Sequence, residues 1–373
     1  MAKSFNENIM YIALVVILAL LIVNVYFISV RSQNISIATA KAKEEARPAN
    51  IEVVKLTAEC SDCFDIEKVL TDLKTKNVNI TKEEAVSSSS DRGKGLVSSL
   101  GITKLPTLIV SGEVKKSNVE SLWKDWEEKE GKFVFKNILP PYTNPSTNEI
   151  IGKVSVTSIS DSSCEKCGDL LAAVDSLKNA GIIISEEKKL DYSSSEAQTL
   201  IKRFEVQRIP ALLISSNIVE YTGMKQSLDQ IGSKEKEGFF ALHAQIPPYR
   251  DTKTNEVKGL VNVTYIGDIS CNSCYNVTVN KEIIARYGLV IVGEKSLDIN
   301  STEGSDLVKK YKIETVPIIL VSSEANYYDD FKQIWSKIPV GSVESDGWFV
   351  MRHPEFLGTY KNLTSGQEVV LEN

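Results

Sequence analysis

The chain has 373 residues, 42% hydrophobic and 25% charged, which is typical of globular protein and long enough for two or three domains. Its net charge of −6 does not provide the basic surface of a nucleic-acid-binding protein, so we expect no nucleic-acid partner. Its two histidines are not near a cysteine pair in sequence, which disfavours a Cys/His zinc site, and we expect neither a metal nor a cofactor.

The first predicted element is an apolar helix at residues 9–30. The segment carries no charged residue, and about 20 apolar residues span a bilayer as a helix. Tyr11, Tyr26 and Phe27 lie near its ends, where aromatic rings favour the membrane–water interface. A cleaved signal peptide is the alternative, but the apolar run exceeds a usual signal-peptide core. The sequence therefore predicts an uncleaved anchor that contacts membrane lipid.

The side of the membrane that the remaining chain faces is less strongly indicated. Basic residues from Arg31 to Arg47 follow the helix and, counted widely, favour a cytoplasmic location. A tethered protein with several dithiols instead suits an oxidising compartment. We expect the soluble part to lie outside the cytoplasm, with a cytoplasmic location as the alternative. Residues 31–50 are polar and Ala-rich, which predicts a linker that is at most partly helical.

All six cysteines fall into three C-x-x-C pairs, and each pair is followed by a proline 46 positions after its first cysteine. Because cysteine is scarce here, this repetition indicates one redox-type module used three times, and dithiol–disulfide chemistry is the leading hypothesis. Pair 1 is Cys60 and Cys63 with Pro106, pair 2 is Cys164 and Cys167 with Pro210, and pair 3 is Cys271 and Cys274 with Pro317.

The surroundings of the pairs repeat as well. An extended segment precedes each pair, helical apolar spacing follows it, and a β-branched or Leu-rich run follows each proline. The predicted order in each copy is strand, C-x-x-C helix, strand, helix, proline strand, strand and helix. A Pro-Pro-Tyr linker recurs at residues 140–142 and 247–249, and such turns mark domain ends. We predict three domains after the anchor: repeat 1 (51–150), repeat 2 (151–258) and repeat 3 (259–373).

A C-x-x-C pair that opens a helix after a strand, with an apolar segment ending in proline before the next strand, resembles the thioredoxin superfamily. Residues 100–108, LGITKLPTL, are especially similar to the family's proline loop. The resemblance covers about residues 51–373 and implies an α/β fold of three tandem thioredoxin-like domains, each a central mixed sheet flanked by helices. The tandem copies resemble protein disulfide isomerases, and the tether resembles anchored thioredoxin-like proteins of bacteria and archaea.

The resemblance also implies roles for the site residues. The three prolines would be cis and would face the disulfides, as a loop that binds substrate. The first cysteine of each pair would be an exposed nucleophile and the second would resolve the mixed disulfide. The nucleophiles would be Cys60, Cys164 and Cys271, the resolving residues Cys63, Cys167 and Cys274, and the cis prolines Pro106, Pro210 and Pro317.

The chemistry depends on the thiolate, which is a minor species for a free thiol at neutral pH. A first cysteine at a helix N-terminus would be stabilised as an anion by unpaired N–H groups and the helix dipole. A second cysteine one turn later could displace the mixed disulfide. We further expect the proline loop to leave backbone groups free to pair with an extended substrate.

Local charge predicts different reactivities for the three pairs. Acidic residues surround pair 1, and one of them, Asp62, lies between its cysteines. In pair 2, Lys166 partly offsets Glu165, while pair 3 has neutral residues between its cysteines. On charge alone, Cys164 should be the most reactive nucleophile at neutral pH and Cys60 the least.

We therefore predict a membrane-anchored thiol–disulfide oxidoreductase or isomerase that acts on protein cysteines and exchanges electrons with a membrane redox partner. The alternative is a redox-inactive scaffold or client-binding protein whose pairs are structural disulfides, since no pair contains the family's Gly-Pro, Gly-His or Pro-His dipeptide. A zinc or copper site would need two pairs face to face. Trp123 and Trp126 suit packing or docking, and the Lys/Glu runs 124–132 and 233–237 predict solvated helix faces.

Overall fold

The computed structural model describes residues 2–337 and 340–370, and the side chains of residues 2–9 lie outside that description. Helix α1, Ala2–Ala46, contains a segment from Met10 that is long and apolar enough to cross a membrane, although a signal sequence meets the same criterion. The prediction that residues 31–50 are at most partly helical is wrong, because α1 continues to Ala46. This stretch is rich in Ala, Lys and Glu, which favour helix, and it ends just before Pro48.

Arg47 attaches the end of α1 to repeat 1. Its guanidinium contacts both carboxylate oxygens of Glu113, and the Nη1–Oε2 distance is 2.8 Å. The Asn50 amide donates to the same carboxylate at 2.7 Å, and Lys116 donates to the Arg47 carbonyl at 3.0 Å. The hydrogen bond from Arg47 lowers the pKa of Glu113 to about 2. Helix α1 and the first sheet are therefore joined by charge-assisted hydrogen bonds.

Repeat 1 contains a five-stranded sheet, its helices and a terminal hairpin. In chain order the elements are β1 (Ala49–Thr57), α2 (Ile66–Lys74), β2 (Val78–Ser87), α3 (Asp91–Leu100), β3 (Thr107–Gly112), β4 (Trp126–Lys129), β5 (Lys132–Phe135), β6 (Tyr142–Thr143) and β7 (Ile150–Ile151).

Repeat 2 follows the same plan and adds a short proline-loop strand and a further helix. Its elements are β8 (Val154–Ser160), α4 (Leu171–Asn179), β9 (Ile184–Asp191), α5 (Ser195–Phe204), β10 (Arg208–Ile209), β11 (Ala211–Ser215), α6 (Met224–Gln230), β12 (Glu235–Lys236), β13 (Phe239–His243), β14 (Tyr249–Asp251) and β15 (Glu256–Lys258).

Repeat 3 matches repeat 2 element by element within the part of the chain that the structure describes. Its elements are β16 (Leu260–Gly267), α7 (Val279–Ala285), β17 (Val290–Asp298), α8 (Thr302–Lys310), β18 (Thr315–Val316), β19 (Ile318–Val321), α9 (Asp329–Lys337), β20 (Gly341–Val343), β21 (Phe349–Met351), β22 (Tyr360–Asn362) and β23 (Glu368–Val369).

The large sheets share one strand order. It is β2-β1-β3-β5-β4 in repeat 1, β9-β8-β11-β13-β12 in repeat 2 and β17-β16-β19-β21-β20 in repeat 3. The first strand of each repeat is parallel to the second and antiparallel to the strand that follows the proline. The predicted α/β class with mixed sheets is therefore confirmed.

The strand after each proline is the buried centre of its sheet. In β3 the residues from Thr107 to Val110 are all buried. Leu108 packs with Leu70 of α2 on one face, and Ile109 packs with Leu100 of α3 on the other. A continuous apolar run is expected where helices cover both faces of a sheet. This confirms the predicted buried strand and places its first residue directly after the proline.

The chain divides into two compact units, one ending at Gly152 and the other beginning at Lys153. This division lies close to the predicted boundary at 150/151. Repeats 2 and 3 belong to one unit, within which Tyr328 donates to the Gly259 carbonyl at 2.7 Å and the rings of Tyr249 and Tyr327 lie 6.4 Å apart. The boundary at 258 and the number of tandem domains stay predictions.

The Lys/Glu runs are not helix faces, so that prediction is wrong. Residues 124–132 include β4, and residues 233–237 include β12, and both are edge strands on which exposed charged side chains are expected. We predicted that the last strand of each repeat precedes its last helix. In repeats 1 and 2, β4 and β12 instead follow a 3₁₀-helix, Glu120–Trp123, and helix α6, respectively. Trp123 is buried and its ring lies 5.6 Å from that of Phe133, which confirms a packing role.

We expect Gly152→Ala to destabilise the hairpin of β6 and β7. Gly152 has φ +90°, and an added Cβ would lie 2.3 Å from the Pro140 Cβ. Left-handed backbone alone costs about 1–2 kcal/mol for a residue with a side chain, and the clash adds to that cost. Gly101→Ala is the control, since Gly101 has φ +60° with nothing within 4 Å of the added Cβ. Equal losses in the free energy of urea unfolding for the two variants would contradict this expectation.

Candidate active site

Each C-x-x-C pair forms a disulfide within its own repeat. The S–S distances are 2.05 Å in pair 1, 2.07 Å in pair 2 and 1.97 Å in pair 3. The peptide bonds that precede Pro106, Pro210 and Pro317 are cis. The disulfide and the proline therefore lie at corresponding places of each repeat, one after the first strand and the other before the central strand.

The expectation that the first cysteines are exposed is wrong for two repeats. Cys164 and Cys271 are buried, with exposed fractions of 6% and 9%, and Cys167 is also buried at 8%. Both cysteines of pair 1 are half-buried. Accessibility thus favours pair 1, whereas local charge predicted Cys164 as the most reactive.

None of the first cysteines lies at the N-terminus of an α-helix, although Cys164 precedes a 3₁₀-helix, and this corrects a second expectation. Helix α2 begins at Ile66, after pair 1, and its N-cap Asp65 accepts a hydrogen bond from the Glu67 amide. In repeat 2, Gly168 has φ +65° and separates a 3₁₀-helix, Glu165–Cys167, from α4. In repeat 3 a run of β-branched residues delays α7 to Val279, and β-branching disfavours helix. The dipoles of α2, α4 and α7 therefore do not act directly on the first cysteines.

A hairpin pairs with the residue before each cis proline. We call these hairpins strap 1 (142–151), strap 2 (249–258) and strap 3 (360–369). In repeat 1 the Leu105 amide donates to the Thr143 carbonyl at 3.0 Å, and the Thr143 amide donates to the Leu105 carbonyl at 2.8 Å. The same register places Ile209 opposite Arg250 and Val316 opposite Lys361. The expectation that the proline loop leaves its backbone groups free is therefore wrong.

The segments that lead into the straps also contact the C-x-x-C turns. The Phe64 amide, next to pair 1, donates to the Pro141 carbonyl at 2.8 Å, and the Tyr275 amide, next to pair 3, donates to the Thr359 carbonyl at 2.9 Å. The Thr143 hydroxyl lies 3.9 Å from the Cys63 sulfur. Each of these two repeats thus joins its disulfide turn to its proline loop through the strap region.

In repeats 2 and 3 a buried ion pair holds the strap to the residues before the first cysteine. Arg250 of strap 2 donates to the Asp161 carboxylate at 2.6 Å, and Asp161 also accepts from the amide and hydroxyl of Ser163. The side chains of Arg250 and Asp161 are 14% and 4% exposed. Burial disfavours the ionised form, but the bonds from Ser163 and Arg250 outweigh it and hold the pKa of Asp161 below its ordinary value.

Repeat 3 reproduces this arrangement with different residues. Lys361 of strap 3 donates to Asp268 at 2.6 Å and to the Ser270 hydroxyl at 3.1 Å, and the Asp268 side chain is 2% exposed. Burial of Asp268 opposes ionisation, and the bonds from Lys361 and Ser270 again lower its pKa overall. Loss of the cationic partner would destabilise such a site, because it would leave a buried carboxylate charge without compensation.

Repeat 1 has neutral residues at these positions. Thr57 is the last residue of β1 and pairs with Ser87, just as Ser160 is the last residue of β8 and pairs with Asp191. The next residue along the chain is Ala58 in repeat 1 and Asp161 in repeat 2, so these two residues correspond. Thr143 corresponds to Arg250, because each pairs with the residue before the cis proline. Strap 1 is therefore held without the ion pair of the other two repeats.

Pair 3 borders a cavity of about 370 Å³, which Pro317 also lines. The Tyr275 hydroxyl donates to the Pro317 carbonyl at 2.9 Å and accepts a bond from Asn280 at 3.3 Å. Burial raises the pKa of Tyr275 to about 12. Tyr275 is thus a neutral donor that connects the C-x-x-C turn to the proline loop in repeat 3.

Sequence reasoning missed the ion pairs and Tyr275. The motif Asp-x-Ser-Cys occurs before both pair 2 and pair 3 and could have indicated a shared role for Asp161 and Asp268. Their cationic partners, Arg250 and Lys361, lie about 90 positions away in sequence. Only the register between the strap and the residue before the cis proline brings each pair together. Among residues 2–337 and 340–370, no group of three or more His, Cys, Asp or Glu side chains is arranged to hold a metal ion.

No protein-family model and no curated protein matches the chain. Among solved structures it is similar to the NTD_N/C domain of alkylhydroperoxide reductase AhpF from Enterococcus faecalis, with 17% identity over 46% of this chain and 83% of that one, and a TM-score of 0.14. ERdj5 shows 14% identity over 77% of this chain and 39% of that one, with a TM-score of 0.15. Human ERp44 shows 9% identity over 90% of this chain and 99% of that one, with a TM-score of 0.14. TM-scores this low do not support a conclusion about the function of this chain.

We expect dithiothreitol to reduce pair 1 first, pair 3 next and pair 2 last. The reason is access, since both sulfur-bearing residues of pair 2 are buried and both of pair 1 are half-buried. Quenched alkylation followed by peptide mass spectrometry gives one rate per pair. In the urea-unfolded chain the three rates should converge, which is the control. Reduction of pair 2 before pair 1 in the folded chain would show that local charge outweighs access.

Proposed function

We propose that the chain is a membrane-anchored thiol–disulfide oxidoreductase or isomerase that acts on protein cysteines, built from three tandem thioredoxin-like domains. The observation that carries the proposal is the recurring combination of a C-x-x-C disulfide and a proline loop that is capable of strand pairing. The register of each strap with the residue before proline demonstrates that pairing capacity. Proteins commonly bind extended peptides by adding a strand to such an edge.

The proposed reaction is an exchange between a repeat and a client dithiol. A client thiolate attacks one sulfur of the pair, the S–S bond breaks, and the other cysteine leaves as a thiolate with the electron pair. The second client thiolate then attacks the client sulfur of the mixed disulfide and releases the cysteine of the repeat to which the client was joined. The client loses two electrons and two protons, and the repeat gains them as a dithiol. The reverse sequence reduces a client disulfide.

The family resemblance implies catalytic roles for all six cysteines and substrate binding for the three prolines, but we propose unequal use of the repeats. Pair 1 is the leading exchange site, because its cysteines are half-buried and its strap is held without an ion pair. For pair 2 the structural-disulfide alternative has specific support, since Cys164 and Cys167 are both buried. Pair 3 is intermediate, with Cys271 buried and Cys274 half-buried.

We propose that α1 is an uncleaved anchor and that the repeats lie outside the cytoplasm, where a membrane protein renews their redox state. An α-helix rises 1.5 Å per residue, so residues 31–46 would form a stalk roughly 24 Å long. The hydrogen bonds of Arg47 to Glu113 support a stiff connection between this stalk and repeat 1. A stiff stalk would keep pair 1 within reach of a partner in the same membrane.

Insulin reduction and refolding of scrambled ribonuclease, with the full chain in detergent micelles, test the proposed function. We expect turnover in at least one assay and a loss of more than tenfold for the variant Cys60→Ser, Cys63→Ser. The matched control is Cys164→Ser, Cys167→Ser, which should retain most of the activity because pair 2 is buried. A variant with all six cysteines replaced sets the background. Parent activity equal to that background in both assays would exclude the enzyme and favour the scaffold.

A further inference from the structure

The straps occupy the edge that an extended client would use. In repeat 1 both backbone groups of Leu105 are bonded to Thr143, at 3.0 and 2.8 Å. A client strand beside the cis proline would need the same N–H and C=O groups. Each backbone N–H can serve one such partner at a time, and burying it unpaired is costly. Strap and client strand therefore exclude each other at this position.

We infer that each strap is an internal substitute for the client strand, and that the strength of its anchorage decides which repeat admits a client. The identity of the client rests on the proposed function, whereas release of a strap is a property of the chain alone. By this inference repeat 1 admits extended, cysteine-bearing peptide segments most readily, and repeats 2 and 3 are closed by their straps.

Backbone bonds distinguish strap 1 from the other two straps, as the ion pairs do. The Thr252 amide of strap 2 donates to the Gln207 carbonyl at 3.0 Å, and the Leu363 amide of strap 3 donates to the Glu314 carbonyl at 2.8 Å. The corresponding residue of strap 1 is Pro145, which has no N–H group to donate. Strap 1 thus lacks one backbone bond that the other two straps make.

Side chains add to this difference. Strap 2 is fixed by Arg250 to Asp161, and strap 3 by Lys361 to Asp268, both at 2.6 Å and both largely withdrawn from solvent. Releasing either strap would separate the cation from a carboxylate that is less than 5% exposed. Strap 1 has Thr143, 3% exposed, close to the Cys63 sulfur. Its release exposes a small neutral side chain and uncovers the disulfide.

Exchanging residues between the repeats tests the inference in the full chain. Variant A carries Asp161→Ala with Arg250→Thr, which gives strap 2 the residues of repeat 1. Variant B carries Ala58→Asp with Thr143→Arg, which gives strap 1 the residues of repeat 2. Hydrogen exchange of the strap amides reports release, and the rate of reduction of each pair by dithiothreitol reports access. The protein is studied in detergent micelles.

For variant A we expect the Thr252 amide to lose protection and the reduction rate of pair 2 to rise at least tenfold, with pairs 1 and 3 changed less than twofold. For variant B we expect the Thr143 amide to gain protection and pair 1 to be reduced at least threefold more slowly. Faster strap exchange in variant A without faster reduction of pair 2 would overturn the inference, as would unchanged protection of both straps.

A third variant keeps the test decisive if variant A does not fold. Thr252→Pro introduces the residue of strap 1 and removes the Thr252 amide donor together with the hydroxyl that donates to the Val206 carbonyl at 2.7 Å, so we expect pair 2 to be reduced about threefold faster. An unchanged rate in the folded Thr252→Pro chain would then overturn the inference. If these rates shift as expected while insulin and scrambled ribonuclease show no turnover with any variant, the straps close the repeats but the proposed enzymatic function is wrong.

Discussion

The structure depends on how the buried peptide groups beside the cis prolines are paired. A proline has no N–H, so the residue before it provides the last backbone donor before the central strand begins. Buried backbone groups must find partners, and the strap supplies them in each repeat. This pairing draws Arg250 and Lys361 over the residues that precede pairs 2 and 3, and it draws Thr143 over pair 1. Access to the disulfides therefore follows from a backbone constraint.

The same fold can give three sites with different behaviour. Asp161 and Asp268 are buried, so each needs its strap cation, and losing that cation would leave a buried charge without a partner. Ala58 removes this requirement in repeat 1. The difference does not depend on the residues between the cysteines, on which the predicted ranking of reactivity was based. A chain with one loosely closed repeat and two firmly closed ones could bind a client at one site while the other disulfides remain oxidised.

Much of the fold could be predicted from the sequence, because the repeated apolar patterns around the cysteines and prolines report local structure. The buried run after Pro106 and the helix with Leu70 and Leu73 are examples. The delayed start of α2 could not be predicted from spacing, since it depends on Asp65 acting as N-cap. The ion pair of Asp161 with Arg250 joins residues far apart in sequence, and only the strap register brings them together. The helical content of residues 31–46 was underestimated, because this segment is polar overall although its Ala, Lys and Glu residues favour helix.

The most direct test is the structure of a trapped mixed disulfide. The Cys63→Ser variant, joined through Cys60 to a ten-residue peptide that carries one cysteine, would hold a client at repeat 1. We expect the peptide backbone to pair with Leu105, and Thr143 of strap 1 to be displaced from both of its hydrogen bonds to that residue. If the peptide is bound through Cys60 while Leu105 and Thr143 remain paired, the strap does not substitute for a client strand.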